Sequence, residues 1–418
     1  MNNKINSYLT KYYEIIKEFV EDIKSTCLIN MNKHFIRKML FVFILCLVIL
    51  FPFITLNIDF EPLNGVEYQV KLLDFNLKNL NDNSYQNSLD DYIDQNLNSK
   101  PFIVRMRNQL LYDVFNISPN YSITINDDKN LISKESLNYY LHGQYSVSNE
   151  EVKQMANKFI KLNRVLKRLN KNMIVIMTPT KARYLDYKDY PIADKIMLST
   201  YKYKYPLGYD RFIKELQKDD VLLFDSIEFI NDNKNKYLED AAPLFNDTGH
   251  HWTYYKGRNI GVEIVDFITE NTDITFPKLS IVASRSEIAT YPDDDLLKLL
   301  NLNKNPKYTY MNTDVHYDDL NSSFPSVVIS GGSFLGELLF PFATYGLDFN
   351  KVYHIENKLY YMNHYDDKYE FEKYEEIPIK YDLKDIDLFV FEINEVNVYN
   401  ASFGFIDYLL DNLKYLEK

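Results

Sequence analysis

Apolar residues recur along this chain in three rhythms. The first is an unbroken run, MLFVFILCLVILFPFITL (Met39–Leu56), which carries no charge and is about as long as a bilayer crossing requires. The second has a period near 3.6 residues. Over 150–169, Val152, Met155, Ala156, Phe159, Leu162, Val165, Leu166 and Leu169 fall at i, i+3, i+4 and i+7, which predicts an amphipathic helix. Weaker versions predict helices over 84–116, where Leu89, Ile93 and Leu97 precede Pro101, and at Ile260–Ile268, Tyr399–Leu413 and 7–24. The third rhythm is a set of short continuous runs: MIVIM (173–177), VLLF (221–224), SVVIS (326–330) and LFVFEI (388–393). They are too short for helices, rich in β-branched and aromatic residues, and apolar on both faces, as buried parallel strands are. YSITINDDKNLIS alternates and then turns, like a short hairpin. Strands alternating with helices predict an α/β fold, a doubly wound and mostly parallel sheet flanked by helices.

Charge adds a direction. Lys33, Arg37 and Lys38 precede the long run, and Asp59, Glu61 and Glu67 follow it. The positive-inside rule then leaves the N-terminus cytoplasmic and the rest outside the cell membrane. The segment before the run is long and no small-x-small site follows it, so an uncleaved anchor is predicted rather than a signal peptide. The organisation expected is a cytoplasmic segment (1–38), a single transmembrane helix (39–58), a polar stalk (59–83) and an extracytoplasmic domain (84–418). With 46% hydrophobic and 25% charged residues the chain reads as globular. A net charge of −12 argues against a nucleic-acid partner, which would need a basic face. The two cysteines, Cys27 and Cys46, both precede the main domain. That domain therefore has no disulfide, thiolate nucleophile or zinc–cysteine site.

Each predicted strand is followed by a polar motif: TPTKARY, Asp225, GGSF and EINEVN. Ligands of open α/β sheets bind outside the carboxyl ends of the strands, so these motifs are expected to share one crevice. In SVVISGGSFLGELLFP, Gly331 and Gly332 permit a tight or left-handed turn before Ser333. The amides of Gly332 and Ser333 would face the crevice and stabilise an oxyanion there. The arrangement resembles a nucleophile elbow, and it also suits a serine that merely caps a helix. A nucleophilic serine needs a base. His251, in LFNDTGHHWTYYKG (Leu244–Gly257), precedes a helix whose Gly257 and Gly261 allow close packing on the sheet. A neutral imidazole can take and return the serine proton if a third group fixes its tautomer. Asp247 is the nearest acid in sequence, and Asp225, at a strand end, is a second candidate. A metal site built from His250, His251 and Asp247 is disfavoured, because adjacent histidines point to different sides and no second ligand cluster follows. No cofactor is expected. Trp252, the only tryptophan, either stacks on a sugar ring or belongs to the core.

Taken in order, MIVIMTPTKARYLDY, FDSIEFI, PLFNDTGHHWTYYKG, SVVISGGSF and LFVFEINEVN resemble the SGNH-hydrolase-like polysaccharide O-acetyltransferases of the AlgX/AlgJ type, including their DHHW relatives. The entry segment SYQNSLDDYIDQNLNSKPFIVRMRNQLLY extends the resemblance to roughly residues 84–413. The histidine motif precedes the serine motif, as in that family. The resemblance implies Ser333 as nucleophile, His251 as base, and an acetyl-enzyme that passes its acetyl group to a hydroxyl of an exported or envelope polysaccharide. It implies a multispanning membrane acyltransferase as the partner that delivers the acetyl group. Lys181 and Glu395 match recurring family positions and are expected to shape the site. One position departs from the pattern: the family's acid two residues before the histidine is replaced by Gly249. That leaves Asp247, Asp225, another carboxylate or a backbone carbonyl to orient His251. Two other readings follow from the same motifs. One is a glycan acyl esterase, in which water replaces the sugar hydroxyl. The other is a non-catalytic glycan-binding or export scaffold that has lost its acid.

Overall fold

The computed structural model describes residues 14, 17–18, 33–55, 58, 60–66, 71–126, 128–142, 148–185, 190, 208–239, 242–317, 325–338, 350–355, 358–363, 369–372 and 383–416. The chain divides into two compact units, Met1–Val104 and Arg105–Lys418. In the first, α1 (Lys33–Ile54) is a continuous 22-residue helix with Phe41, Val42 and Ile44 exposed along it. Among the described residues no helix is long and apolar enough to cross a membrane. Within that description the predicted run is interrupted at Val48, Ile49, Pro52 and Phe53, whose side chains lie outside it. The predicted helix over 84–116 is two helices, α2 (Ser84–Asn96) and α3 (Lys100–Phe115), because Leu97 turns extended between them. Pro101 falls in the first turn of α3, where its missing N–H leaves no bond unmade. The helix predicted over 7–24 lies outside the described residues apart from Glu14, Lys17 and Glu18.

The second unit takes in α3 from Arg105 onward and continues with the predicted hairpin, β1 (Ile123–Ile125) against β2 (Leu131–Ser133), followed by α4 (Lys134–His142). Next come α5 (Asn149–Arg168), β3 (Asn172–Thr178), α6 (Gly208–Leu216), β4 (Leu222–Asp225), α7 (Ser226–Asp232) and α8 (Tyr254–Asn271). Helix α5 starts where Ser148 and Glu151 exchange bonds with each other's backbone amides, a reciprocal cap. A hairpin of β5 (Leu279–Ser286) and β6 (Tyr310–Tyr317) encloses the short α9 (Asp295–Leu299). Strands β7 (Val327–Gly331), β8 (Asn350–Ile355), β9 (Lys358–Asn363), β10 (Tyr369–Glu372) and β11 (Leu388–Asn394) precede α10 (Phe405–Asp411).

The main sheet runs β10-β9-β8-β7-β11-β3-β4. The five strands from β8 to β4 are parallel, and β9 and β10 add an antiparallel edge. Alternation along the strands explains why the runs are apolar on both faces. Met173, Val175, Met177, Phe389 and Phe391 enter one core with α5, α6 and α10. Ile174, Ile176, Val327, Ile329 and Val390 enter the other, under α8. The chain goes from β3 outward to β4 and from β7 outward to β8, then inserts β11 between β3 and β7. The carboxyl ends of β3, β11 and β7 therefore stand side by side at a reversal of strand order, where such sheets bind ligands.

Two elements depart from the sequence pattern. The β5–β6 hairpin carries little apolar signal because β5 is exposed along most of its length. The helix predicted at Tyr399–Leu413 is broken at Asn400–Phe403, where Ser402 and Phe403 take positive φ angles of 65° and 48°. The helix resumes as α10 after Gly404, and the Ser402 hydroxyl accepts the Ile406 amide at 3.1 Å.

Candidate active site

Ser333 follows β7 on the first position of a 3₁₀ turn, Ser333–Leu338, and is exposed while its neighbours Gly332 and Phe334 are buried. Its position depends on Glu392 of β11. The Glu392 carboxylate accepts the Gly332 amide at 2.7 Å with one oxygen and pairs with the Thr178 hydroxyl, at the end of β3, with the other. One fully buried side chain thus joins the ends of the three central strands. A Cβ on Gly331 would lie 2.7 Å from both the Cβ and Oε2 of Glu392, so the glycine there makes room for this carboxyl. Burial pushes the Glu392 carboxyl up to about 7, against the pull of the Thr178 hydroxyl and the Gly332 amide.

His251 sits in the loop before α8. Phe245 and Trp252 form a single antiparallel bridge across that loop, and Thr253 caps α8 by accepting the Lys256 amide at 3.2 Å. Lys181, just past β3, fastens the loop from below. Its buried ammonium donates to the carbonyls of Asn246 (2.6 Å), Gly249 (2.9 Å) and Leu131 (2.8 Å). Burial pushes this ammonium down to about 7, opposed by the charges of Asp247 and Asp295.

So held, the His251 ring turns Nε2 toward the Ser333 hydroxyl at 2.8 Å and Nδ1 toward the Asp295 carboxylate at 2.5 Å. Asp295 is the first residue of α9, in the loop YPDDDLL that packs on the histidine loop. Its other oxygen accepts the amides of His250 (2.7 Å) and Leu296 (2.6 Å). Burial raises the Asp295 carboxyl, but the His251 ring and the His250 amide outweigh it and leave it below the usual carboxylate range. The tautomer this fixes has a proton on Nδ1 and a lone pair on Nε2, ready to accept the serine proton. The His250 ring packs edge-on against His251 with centroids 4.8 Å apart. Burial, then the neighbouring imidazole, pushes it down to about 3, so it is neutral at physiological pH.

Among solved structures, the chain is similar to the O-acetyltransferase domain of Pseudomonas putida AlgJ, with TM-score 0.41 and 14% identity over 66% of this chain and 92% of that one. It is similar to Pseudomonas aeruginosa AlgX, with TM-score 0.42 and 13% identity over 72% of this chain and 69% of that one. It is also similar to Bacillus cereus PatB1 with a sulfonyl adduct, with TM-score 0.42 and 13% identity over 68% and 99%. AlgJ and AlgX are the two proteins that give its name to the type the ordered motifs resemble. No family model matches the sequence, and no curated protein matches it. At these values the likeness carries no residue role across, and the chemistry is read from this chain's own atoms.

The structure brings Ser333 and His251 together and puts a different acid beside them. Asp247 is exposed; its backbone carbonyl accepts the Leu131 amide at 2.7 Å, and among the described residues the partner of His251 Nδ1 is Asp295 instead. Asp225 caps α7, accepting the amides of Ile227 and Glu228, and pairs with the Tyr209 hydroxyl. Gly249 is explained by the loop that supplies Asp295. A Cβ there would lie 3.0 Å from the Asp293 carbonyl and 3.1 Å from that of Pro292.

Three further expectations are corrected. The Gly332 amide is bound to Glu392 and is not an oxyanion donor. Gly331 is required by close approach and not by a left-handed angle, since neither it nor Gly332 has positive φ. Trp252 is fully buried, wedged where α8 passes at Gly257, and is not placed to stack on a sugar. Glu395 accepts the Thr180 amide at 2.8 Å on one oxygen and both Nε and Nη2 of Arg183 on the other, so it braces the loop after β3. Asp295 escaped the sequence reading because it lies 44 residues from His251, and three acids before an apolar helix read as ordinary N-terminal charge.

Proposed function

We propose that this chain is a membrane-anchored O-acetyltransferase that carries an acetyl group on Ser333 and passes it to a hydroxyl of an exported or envelope polysaccharide. The observation that carries this reading is the relay Asp295–His251–Ser333, with contacts of 2.5 and 2.8 Å and one exposed member, the serine. In the first half-reaction Ser333 Oγ attacks the carbonyl carbon of an acetyl donor while its proton moves to His251 Nε2. The tetrahedral intermediate collapses, the donor's acyl bond breaks, and His251 protonates the leaving group. In the second, an acceptor hydroxyl attacks the acetyl-serine, its proton passes to Nε2, and the bond to Ser333 Oγ breaks as that oxygen recovers a proton. Asp295 keeps Nδ1 protonated and stabilises the imidazolium formed in each half-reaction.

Exported glycan as acceptor and a multispanning acyltransferase as donor partner rest on the motif resemblance. The anchor rests on the charge-free run and its flanking charges. The scaffold reading rests on the missing acid at Gly249, and the Asp295 carboxylate on His251 Nδ1 favours the catalytic one. The test is 4-nitrophenyl acetate turnover with mass spectrometry of the enzyme. The wild type is expected to accumulate an adduct of one acetyl on the peptide bearing Ser333, and Ser333→Ala to lose both adduct and turnover. Undiminished turnover in Ser333→Ala would sink the mechanism.

A further inference from the structure

Among the described residues three aromatic rings pack around the His251 imidazole: His250, Phe334 and Tyr291, with centroids 4.8, 4.8 and 6.3 Å away. Phe334 is buried and His250 is partly so, whereas Tyr291 leaves 59% of itself exposed. That leaves an exposed aromatic ring beside the imidazole of the relay. The ring's backbone is well anchored. Tyr291 lies four residues before Asp295, in a loop closed by the Asp293 amide on the Thr290 carbonyl (2.9 Å) and the Asp295 amide on the Pro292 carbonyl (3.2 Å). Thr248 and Tyr254 fasten the same loop to the histidine segment through Asp293, at 2.6 and 2.7 Å. Thr290 ties it to Asn312 of β6 at 3.0 Å.

We propose that Tyr291 is the floor of an acceptor subsite, on which one pyranose ring of the glycan lies beside His251. The assignment rests on the acetyl-transfer reading above. A pyranose presents a face of C–H groups to the negative face of an aromatic ring and keeps its hydroxyls at the edge, where they stay solvated or react. Deacylation requires one of those hydroxyls to reach Nε2 of His251 and the acetyl carbon on Ser333. The acceptor must therefore come within reach of the imidazole, and Tyr291 offers an exposed ring beside it. The donor's leaving group passes the same Nε2, so the burst and transfer arms of the test separate use of the ring by the acceptor from use by the donor.

The test uses the full chain in detergent, with 4-nitrophenyl acetate as donor and chitopentaose, cellopentaose or xylopentaose as acceptor. The nitrophenolate burst reads acylation, and mass spectrometry of the sugar reads transfer. Tyr291→Ala is expected to raise KM for the oligosaccharide about tenfold, the size of one lost stacking contact, with a much smaller change in the burst. Tyr291→Phe keeps the ring and is expected to restore KM. Equal transfer by Tyr291→Ala and the wild type would overturn the subsite. So would a parallel fall in burst and transfer, or a Tyr291→Phe variant as impaired as Tyr291→Ala. Burst without transfer to any of the three sugars in the wild type also overturns it, leaving the serine mechanism intact. Loss of the Ser333-dependent burst itself would instead refute the underlying reading.

Discussion

The carboxylate of Asp295 takes two backbone amides on one oxygen and the imidazole N–H on the other, so its position and charge are fixed before any substrate arrives. Asp295→Asn keeps the amide bonds but can present an amide N–H to Nδ1, which turns the imidazole to the wrong tautomer. Acyl transfer is expected to fall by roughly 10³–10⁴-fold, read as kcat for 4-nitrophenyl acetate. Asp247→Asn, at an exposed side chain, is expected to stay within about twofold of the wild type. The reverse result would return the role to Asp247. At this scale the sequence was legible where chemistry is local. Ser333 after two glycines and His251 before a helix cap announce themselves within a few residues. Asp295 and Glu392 did not, because their partners are set by loop and strand packing over separations of 44 and 60 residues.

Elements were more legible than residues. The four apolar runs became β3, β4, β7 and β11, since strands packed against helices on both faces are mostly apolar along their length. Their order in the sheet was not legible, because no run records which neighbour it pairs with. The carboxyl-end motifs consequently have unequal fates: Ser333 enters the site, Lys181 and Glu395 brace loops, and Asp225 caps a helix. Helix α1 carries a prediction of its own. If it is the anchor, the full chain sediments with membranes and a chain lacking residues 1–58 remains in the supernatant after ultracentrifugation. Equal partition of the two would remove α1 from the membrane.

Across the whole molecule, Glu392 couples the central strands to pH. Its carboxyl is held at about 7 in the folded chain against an ordinary value of 4.5, so folding takes up a proton between those values. The stability this supplies is complete below about pH 4.5 and is lost as the pH rises through about 7, on the order of 3 kcal/mol. Asp293 and Glu337, pushed by burial to about 7 and about 8, act in the same direction. Asp295, held low, acts oppositely, with stability present above its unfolded value and lost as the pH falls. Glu392→Gln can accept the Gly332 amide and donate to Thr178 without titrating. Urea unfolding at about pH 5 and about pH 8 should therefore show a smaller loss in the variant than in the wild type, and identical losses would remove Glu392 from the balance. The contact between Gly249 and the Pro292–Asp293 carbonyls reaches beyond one molecule. An acid on the histidine loop at 249 and an acid delivered by the 293–295 loop compete for the same space. A lineage passing between the two arrangements must then change both sites, because either change alone yields crowding or an unsupported imidazole. Substitutions at 249 and 295 are expected to be epistatic, and a search keyed to an acid two residues before the histidine passes over a carboxylate that reaches His251 from 44 residues away.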